Sequence, residues 1–206
     1  MFSIKDFRSS INKGGILRPN KYIVEFSVPE YLKPRYSSGN LSLMSLRCES
    51  VNIPGFSFAS KDGPPAFGYG PVEKHPYVPG FDGITLTFLL DSKNKIYKFF
   101  YDWTMSIVNY DGRGGTNMRN SSGSTSWKPY EVGYKSKYQT DLSIHIYDGN
   151  KNEKTNSEAG NRVMTIKLYS AFPMGLPSNQ LSWESTDVMR LPIPFSYTDF
   201  GIDIPN

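Results

Sequence analysis

The two histidines and the single cysteine are the side chains best suited to catalysis, and none has the neighbours that catalysis needs. His145 lies between two isoleucines in an alternating run, which places it on the polar face of a strand. His75 lies in a proline-flanked loop, and neither histidine has a nucleophile or a second ligand at motif spacing. We interpret both as hydrogen-bonded or solvent-facing. Cys48 alternates with Met44 and Leu46, so we interpret it as a small buried residue.

Two glycine-containing segments match ligand-binding loops only in part. The sequence GRGG at 112–115 lacks the spacing of a phosphate-binding loop, and no helix follows it. The sequence DGNKN at 148–152 begins like a calcium loop, but no glutamate stands twelfth from Asp148 and strands flank the segment. We therefore expect that the protein is not an enzyme and has no catalytic residue, no cofactor site and no metal site.

Length and composition predict one folded domain. The chain has 206 residues, of which 38% are hydrophobic and 15% aromatic, and this content suits a packed core. The single cysteine excludes an internal disulfide and a thiolate metal cluster. No window approaches the ~18 apolar residues of a membrane-spanning helix. Residues 1–15 have charges where a signal peptide has its apolar segment, so we expect assembly inside the cell.

The charge pattern does not favour a domain that reads nucleic acid. The net charge is +4, but the 23 basic residues are interleaved with 19 acidic ones along the chain. A protein that reads nucleic acid concentrates its basic residues on one face or helix. We therefore expect no sequence-specific DNA binding.

Alternating apolar and polar residues predict a mainly β protein. The strand-like runs lie at 21–28, 43–51, 84–90, 141–148, 163–170 and 188–200. Pro192 and Pro194 share one face of the last run, which restricts that strand to an edge or a bulge.

One helix is predicted over residues 94–109, with Asp91 or Ser92 as its cap. Its apolar stripe should pack across a sheet. The stripe consists of Ile96, Phe99, Phe100, Trp103 and Ile107. The predicted fold is an antiparallel β-sandwich or small barrel with one packed α-helix.

We expect a single domain over residues 1–206 with an N-terminal arm and three long loops. The arm covers 1–17, and the loops cover 29–42, 56–80 and 110–137. The glycine- and proline-rich segment 56–80 is interpreted as an extended loop with room for a hairpin, not as a packed element. Much of the aromatic content lies in these loops, which is explained either by contacts with a partner or by ordinary loop packing.

Several segments follow one another in an order that is informative as a set. They are RPNKYIVEF (18–26), LRCESVNIPG (46–55), FDGITLTFLLD (81–91), FYDW (100–103), RVMTIKLYSAFPMGLPSNQLSW (162–183) and FSYTDF (195–200). This order resembles the tail tube protein of contractile-tailed bacteriophages. The tube of type VI secretion and the tube-like baseplate proteins share the domain, and the length of this chain favours the main tube subunit.

The resemblance implies a structural protein of the virion. In this family, each subunit of a hexameric ring lends strands to a continuous β-barrel, and the rings stack into a tube. Contraction of the outer sheath drives the tube through the host envelope, and DNA passes down the lumen without sequence-specific binding. The implied partners are other copies of the chain, the tail sheath protein, the baseplate and tail-terminator proteins, and the tape-measure protein in the lumen. The implied location is the virion tail, assembled in the host cytoplasm.

The resemblance also assigns roles to residues. A channel for DNA should not retain phosphates, so the lumen should present serine, threonine, small or acidic side chains, with lysine and arginine on the outer surface. The candidate lumen-facing residues are Ser45, Thr85, Thr87, Ser143 and Thr165. The candidate structural or assembly anchors are Pro19, Trp103, Trp127, Pro173, Leu181 and Trp183. In the corner at 169–183, we expect Leu181 and Trp183 to hold the turn against the core.

Two alternatives to the main tube subunit stay open. A baseplate tube initiator of the same fold would contact unlike partners on its two faces. A monomeric carbohydrate- or peptide-binding β-sandwich would also use exposed tyrosine and tryptophan, around one aromatic-lined cleft.

Overall fold

The computed structural model describes the chain in eight segments. They are residues 3–14, 17–36, 45, 47–63, 71–108, 132–148, 161–184 and 186–205. The GRGG sequence, Trp127 and residues 149–152 of the DGNKN sequence lie outside the described residues, as does most of the predicted loop 110–137.

The described elements are mainly strands. In chain order they are α1 (Ile4–Gly14), β1 (Tyr22–Phe26), a short 3-10 helix (Glu30–Leu32), β2 (Cys48–Val51), β3 (Phe56–Asp62), β4 (Lys74–Phe81), β5 (Ile84–Leu89), α2 (Lys95–Ile107), α3 (Lys135–Tyr138), β6 (Thr140–Tyr147), β7 (Arg162–Pro173), β8 (Arg190–Ser196) and β9 (Asp199–Asp203). None of the described helices is long and apolar enough to cross a membrane.

Two antiparallel sheets form two layers that share β7. The first sheet has the order β1-β6-β7-β9, and the second sheet has the order β7-β8-β5-β2. The early part of β7 pairs with β6 and β9, whereas Phe172 and Pro173 pair with β8. Between these parts, Ser170 has a left-handed φ of 55°, and its N–H donates to the Asp141 carboxylate at 3.1 Å. The fold is the predicted sandwich, and its described strands do not close into a barrel.

Buried residues alternate with more exposed ones along the strands, so each sheet has one apolar side. The apolar sides of the two sheets face each other and form one core. In β5, Ile84, Leu86 and Phe88 are buried, while Thr85 and Thr87 are half-buried. The buried residues of β1, β6, β7, β8 and α2 join them in a single cluster. Burying one such aliphatic or aromatic side chain stabilises the fold by about 1.5–3 kcal/mol before entropy is counted. The predicted alternation is therefore what builds the core.

Helix α2 covers one side of this core, as its apolar stripe predicts. The Asp91 carboxylate caps its first turn, accepting from the backbone N–H groups of Lys95 at 3.0 Å and Ile96 at 3.4 Å. The stripe residues in the core are Ile96, Phe99, Phe100 and Trp103, with Ile107 packed against them. Asp102 of α2 is also buried, because the Arg35 and Tyr36 side chains lie against its carboxylate.

Trp103 is the largest buried side chain and joins the helix to its surroundings. Its ring stacks on Phe100 and lies edge-on to Phe195 of β8, with centroids 6.2 and 5.8 Å apart. Its indole N–H donates to the Tyr138 carbonyl at 2.8 Å, so the buried donor is satisfied. This one residue therefore contacts α2, α3 and the second sheet.

Strands β3 and β4 form a separate hairpin within the segment interpreted as an extended loop. They pair antiparallel from Phe56 opposite Phe81 to Asp62 opposite Lys74. Every residue of both strands is exposed. The rings of Phe56 and Phe81 contact Phe200 of β9, with centroids 6.1 and 5.8 Å apart. The hairpin thus contacts the sandwich at its base and stays outside the core.

The last predicted strand, 188–200, is in fact two strands in different sheets. β8 pairs with β5, and β9 pairs with β7. Between them the chain turns at Tyr197 and Thr198, where the Thr198 N–H donates to the Tyr169 carbonyl at 3.0 Å. The single-strand prediction was wrong because the alternation of apolar residues continues through the turn.

The prolines of β8 fit its position in the second sheet. The Pro194 carbonyl accepts from the Met174 N–H at 2.8 Å, so the backbone polar groups of Pro194 point away from β5. The missing N–H of this proline therefore costs no hydrogen bond between β5 and β8. β8 lies between β5 and β7 and is therefore not the edge strand that the prolines predict, but it pairs with β7 only at its last two residues, beyond both prolines.

Candidate assembly surfaces

The outer side of the first sheet is a continuous polar surface, which we call the polar face. Strand register places its residues in two rows, Glu25–Ser143–Lys167–Gly201 and Ile23–His145–Thr165–Asp203. An adjoining pair, Tyr169 and Asp199, extends the face. Across these positions the carboxylates of Glu25, Asp199 and Asp203 stand against one lysine. These positions therefore carry a net negative charge, and the exposed Arg162, paired with Tyr147 of β6, adds one cation at the edge of the face.

Within the polar face, a hydroxyl, an imidazole and a carboxylate lie in line. His145 Nδ1 hydrogen-bonds Thr165 Oγ1 at 3.0 Å, and His145 Nε2 lies 3.4 Å from Glu25 Oε2. This is the order of a nucleophile, a base and a carboxylate. Thr165 is only 2% exposed, however, so a substrate cannot reach its hydroxyl. The two contacts instead give both ring nitrogens of the buried His145 a polar partner. This confirms the interpretation of His145 as a hydrogen-bonded residue.

Cys48 is buried at the start of β2, as predicted. Its thiol lies 3.5 Å from the Ser50 carbonyl, and burial raises the pKa of the thiol from 9.0 to about 12. A thiol with so high a pKa is a poor nucleophile at neutral pH. Among the residues that the structure describes, no group of three or more histidine, cysteine, aspartate or glutamate side chains could hold a metal ion.

The candidate lumen-facing residues do not share one surface. Ser143 and Thr165 belong to the polar face, although Thr165 is buried there. Thr85 and Thr87 lie on the outer side of the second sheet, opposite the two prolines of β8. The core separates these two outer sides, so one channel cannot be lined by both. Ser45 is half-buried and lies in neither sheet.

The candidate anchors also divide. Trp103 and Pro173 are buried, the first in the core and the second at the end of β7 opposite Phe195. Pro19 is exposed before β1. Trp103 and Pro173 therefore contribute to the packing of the single chain, and Pro19 stays a candidate for a contact in the assembly.

Leu181 and Trp183 do not hold the 169–183 corner against the core, and that expectation was wrong. They are 81% and 106% exposed, because the chain leaves the second sheet after Met174 and the described residues between there and β8 form no strand. Leu176 packs against the core in their place. The alternation of Leu181 and Trp183 therefore belongs to a surface that the described part of the chain leaves exposed.

Five exposed apolar side chains between residues 174 and 189 form what we call the corner patch. They are Met174, Leu181, Trp183, Val188 and Met189. The hairpin exposes a second set, Phe56, Phe58, Tyr77, Val78 and Phe81. Large apolar groups are unfavourable in water, so we treat both sets as candidate contacts with other molecules.

The family of the chain follows from a comparison with known protein families. The family described as phage tail tube protein matches residues 17–203. The chain belongs to this family. It is a family of structural tube proteins, so the resemblance drawn from the sequence is confirmed, and so is the expectation that the chain is not an enzyme.

Solved structures of injection machines share the fold of this tail tube protein. The first is a chain of the sheath-tube complex of the PVC extracellular contractile injection system in its extended state, with 16% identity over 100% of both chains and a TM-score of 0.57. The second is the tube terminating cap of the anti-feeding prophage, with 15% identity over 92% of both chains and a TM-score of 0.56. The third belongs to the anti-feeding prophage baseplate, with 10% identity, 92% and 96% coverage and a TM-score of 0.59. No curated protein matches the chain.

Proposed function

We propose that this tail tube protein forms hexameric rings that stack into the inner tube of a contractile tail. The most direct support comes from the two edges of the first sheet. Its outer strands, β1 and β9, each pair on only one side among the described strands. Unpaired strand edges add strands from other chains. If β1 of each subunit lies beside β9 of the next, the six sheets close into one barrel.

In this arrangement the polar face lines the lumen. Its two rows and the adjoining pair carry three carboxylates, whereas the cations of this side are Lys167 and Arg162, so the face favours repulsion of DNA phosphates over their retention. Ser143 keeps the role assigned from the sequence, with Thr165 beneath the surface. Thr85 and Thr87 lie on the opposite outer side and do not face the lumen. DNA therefore moves past a surface that makes no specific contact with it.

The corner patch and the hairpin are the surfaces through which subunits contact each other. Leu181 and Trp183 then anchor the 169–183 corner to a neighbouring subunit, not to their own core. This explains why the corner leaves a tryptophan in water in the single chain.

The partners we propose are the tail sheath, the tail terminator and the baseplate proteins, with the tape-measure protein and DNA in the lumen. Support comes from chains of the same fold, which belong to a sheath-tube complex, a tube terminating cap and a baseplate. The location that follows is the virion tail, after assembly in the host cytoplasm.

Negative-stain electron microscopy over a concentration series, with and without tail sheath or baseplate protein, tests whether the chain assembles. We expect rings or hollow tubes. A chain that stays monomeric in every mixture would contradict the proposal and favour the monomeric binding module.

A pair of cysteine variants tests which surface faces the lumen. Lys167 is an exposed residue of the polar face, and Lys98 is an exposed residue of α2. In tubes, Lys167→Cys should be protected from a maleimide coupled to a bulky protein, whereas Lys98→Cys should react. Both should react in dispersed chains, and buried Cys48 keeps the background low. Equal reaction of the two variants in tubes would show that the polar face is not in the lumen.

A baseplate tube initiator is the second candidate function. The observation that favours it is the likeness to a chain of the anti-feeding prophage baseplate, with a TM-score of 0.59. Mixing the protein with a separate tube protein distinguishes the two functions. An initiator caps or starts tubes, whereas a tube subunit extends them.

A further inference from the structure

A basic cleft is lined by the first turns of α2 together with Arg35, Tyr36 and Arg47. Its volume is about 490 Å³. The apolar base of the cleft is the half-buried Tyr36 ring, which packs against the core and lies edge-on to the buried Phe99 ring at 5.1 Å. The cleft therefore offers a site for an apolar group.

Positive charge surrounds this apolar base. The cationic residues of the cleft are Arg35, Arg47, Lys93, Lys95 and Lys98, and Asp91 is its single carboxylate. Among the described residues, none of the three lysines makes an ion pair. The Asp91 carboxylate accepts from two backbone N–H groups of α2 and lies 4.0 Å from the Arg47 guanidinium, so it caps the helix and pairs with Arg47, which leaves the three lysines to set the charge of the rim. The helix terminus is thus already satisfied, and the cleft is defined by side chains.

The wall of the cleft is fixed by a buried carboxylate. Asp102 lies 3.0 Å from the Arg35 guanidinium and accepts a hydrogen bond of 2.5 Å from the Tyr36 hydroxyl. Burial, together with this hydrogen bond, raises the pKa of Tyr36, so the phenol stays protonated and keeps donating. A wall held in this way loses little conformational entropy when a ligand binds.

We propose that this cleft binds an acidic segment of a partner protein, with an aromatic or aliphatic side chain on the apolar base and carboxylates at the rim. The charge complementarity selects an anionic partner, and the apolar base selects one that also has a hydrophobic side chain. A nucleic acid fits less well, because its phosphates require cations along an extended track and these cations surround one concave site. The proposal does not depend on ring formation.

The binding test uses a fluorescein-labelled peptide with the sequence Glu-Glu-Phe-Glu-Glu and the purified full chain. Fluorescence anisotropy at physiological salt measures its affinity. Two control peptides replace the phenylalanine by serine or the glutamates by lysine. We expect the first control to bind at least ~10-fold more weakly and the second to show no binding.

Charge reversal locates the site. The double variant Lys95→Glu/Lys98→Glu should weaken binding of the acidic peptide by ~10-fold or more, since each reversal replaces an attraction by a repulsion. The matched control is Lys61→Glu/Lys74→Glu on the exposed hairpin, which should bind as the wild type does. All four lysines are exposed, so thermal melting should be unchanged.

Three results would overturn the proposal. The first is no detectable binding of the acidic peptide, and the second is equal binding by both double variants. The third is displacement of the peptide by a single-stranded oligonucleotide. If the oligonucleotide binds the wild type more tightly than the peptide does, and its binding also depends on Lys95 and Lys98, the cleft is a nucleic-acid site. Ring formation, measured separately, reports on the tube proposal, so the two can fail independently.

Discussion

Replacing Trp183 by serine tests the corner patch as a contact between subunits. The Trp183 ring is fully exposed in the single chain, so the free energy of unfolding should change by no more than ~0.5 kcal/mol. In a subunit contact the ring would bury about 200 Å² of apolar surface, worth roughly 5 kcal/mol at ~25 cal/mol per Å². Aromatic residues that matter in interfaces cost at least ~2 kcal/mol when removed, so the dissociation constant of the contact should rise by ~30-fold or more.

Sedimentation velocity over a concentration series gives the concentration at which assembly begins. The matched control is Trp183→Phe, which keeps most of the apolar area and should assemble close to the wild-type concentration. Thermal melting of both variants by circular dichroism should match the wild type, because neither change touches the core. Assembly of Trp183→Ser at the wild-type concentration would refute the placement of the corner patch in a subunit contact.

Three further predictions concern the folded chain. Trp103→Ala removes a fully buried ring and its hydrogen bond to Tyr138, so urea unfolding should show a loss of ~3–5 kcal/mol, and a loss below ~1 kcal/mol would contradict its place in the core. Arg35→Ala removes a partner of the buried Asp102 carboxylate; because Arg35 is itself one-third exposed, the expected loss is about 2 kcal/mol, and it should largely disappear in an Asp102→Asn background. Because burial raises the pKa of the Cys48 thiol from 9.0 to about 12, the thiol of the unfolded chain ionises at a lower pH than the thiol of the folded chain. The free energy of unfolding is therefore unaffected by this group below pH 9 and decreases as the pH rises towards about 12. The urea midpoint should therefore fall between pH 8 and pH 10.5, and less so in Cys48→Ala; an equal fall in both would show that the thiol is not responsible.

Much of the fold could be predicted because local patterns determine it. The alternation in β5 requires one buried side, and the stripe on α2 requires an apolar surface to cover it. Both requirements are met by the same core. The division of 188–200 into β8 and β9 could not be predicted, because alternation states which residues share a side and not which sheet the strand joins.

The surfaces were harder to predict than the core. The contact between Glu25, His145 and Thr165 crosses three strands, so no spacing along the chain indicates it. The apolar pattern at Leu181 and Trp183 was visible, but whether their own chain covers them depends on where the chain turns after β7. The pattern in one sequence identifies an apolar surface but does not identify what covers that surface.

Cryo-electron microscopy of the assembled protein tests the central claim most directly. End views and a helical reconstruction should show rings with six-fold symmetry, a continuous barrel in which β1 lies beside β9 of the next subunit, and the polar face with Ser143 and Lys167 lining the lumen. A different symmetry, or a lumen lined by the second sheet with Thr85 and Thr87, would contradict the account.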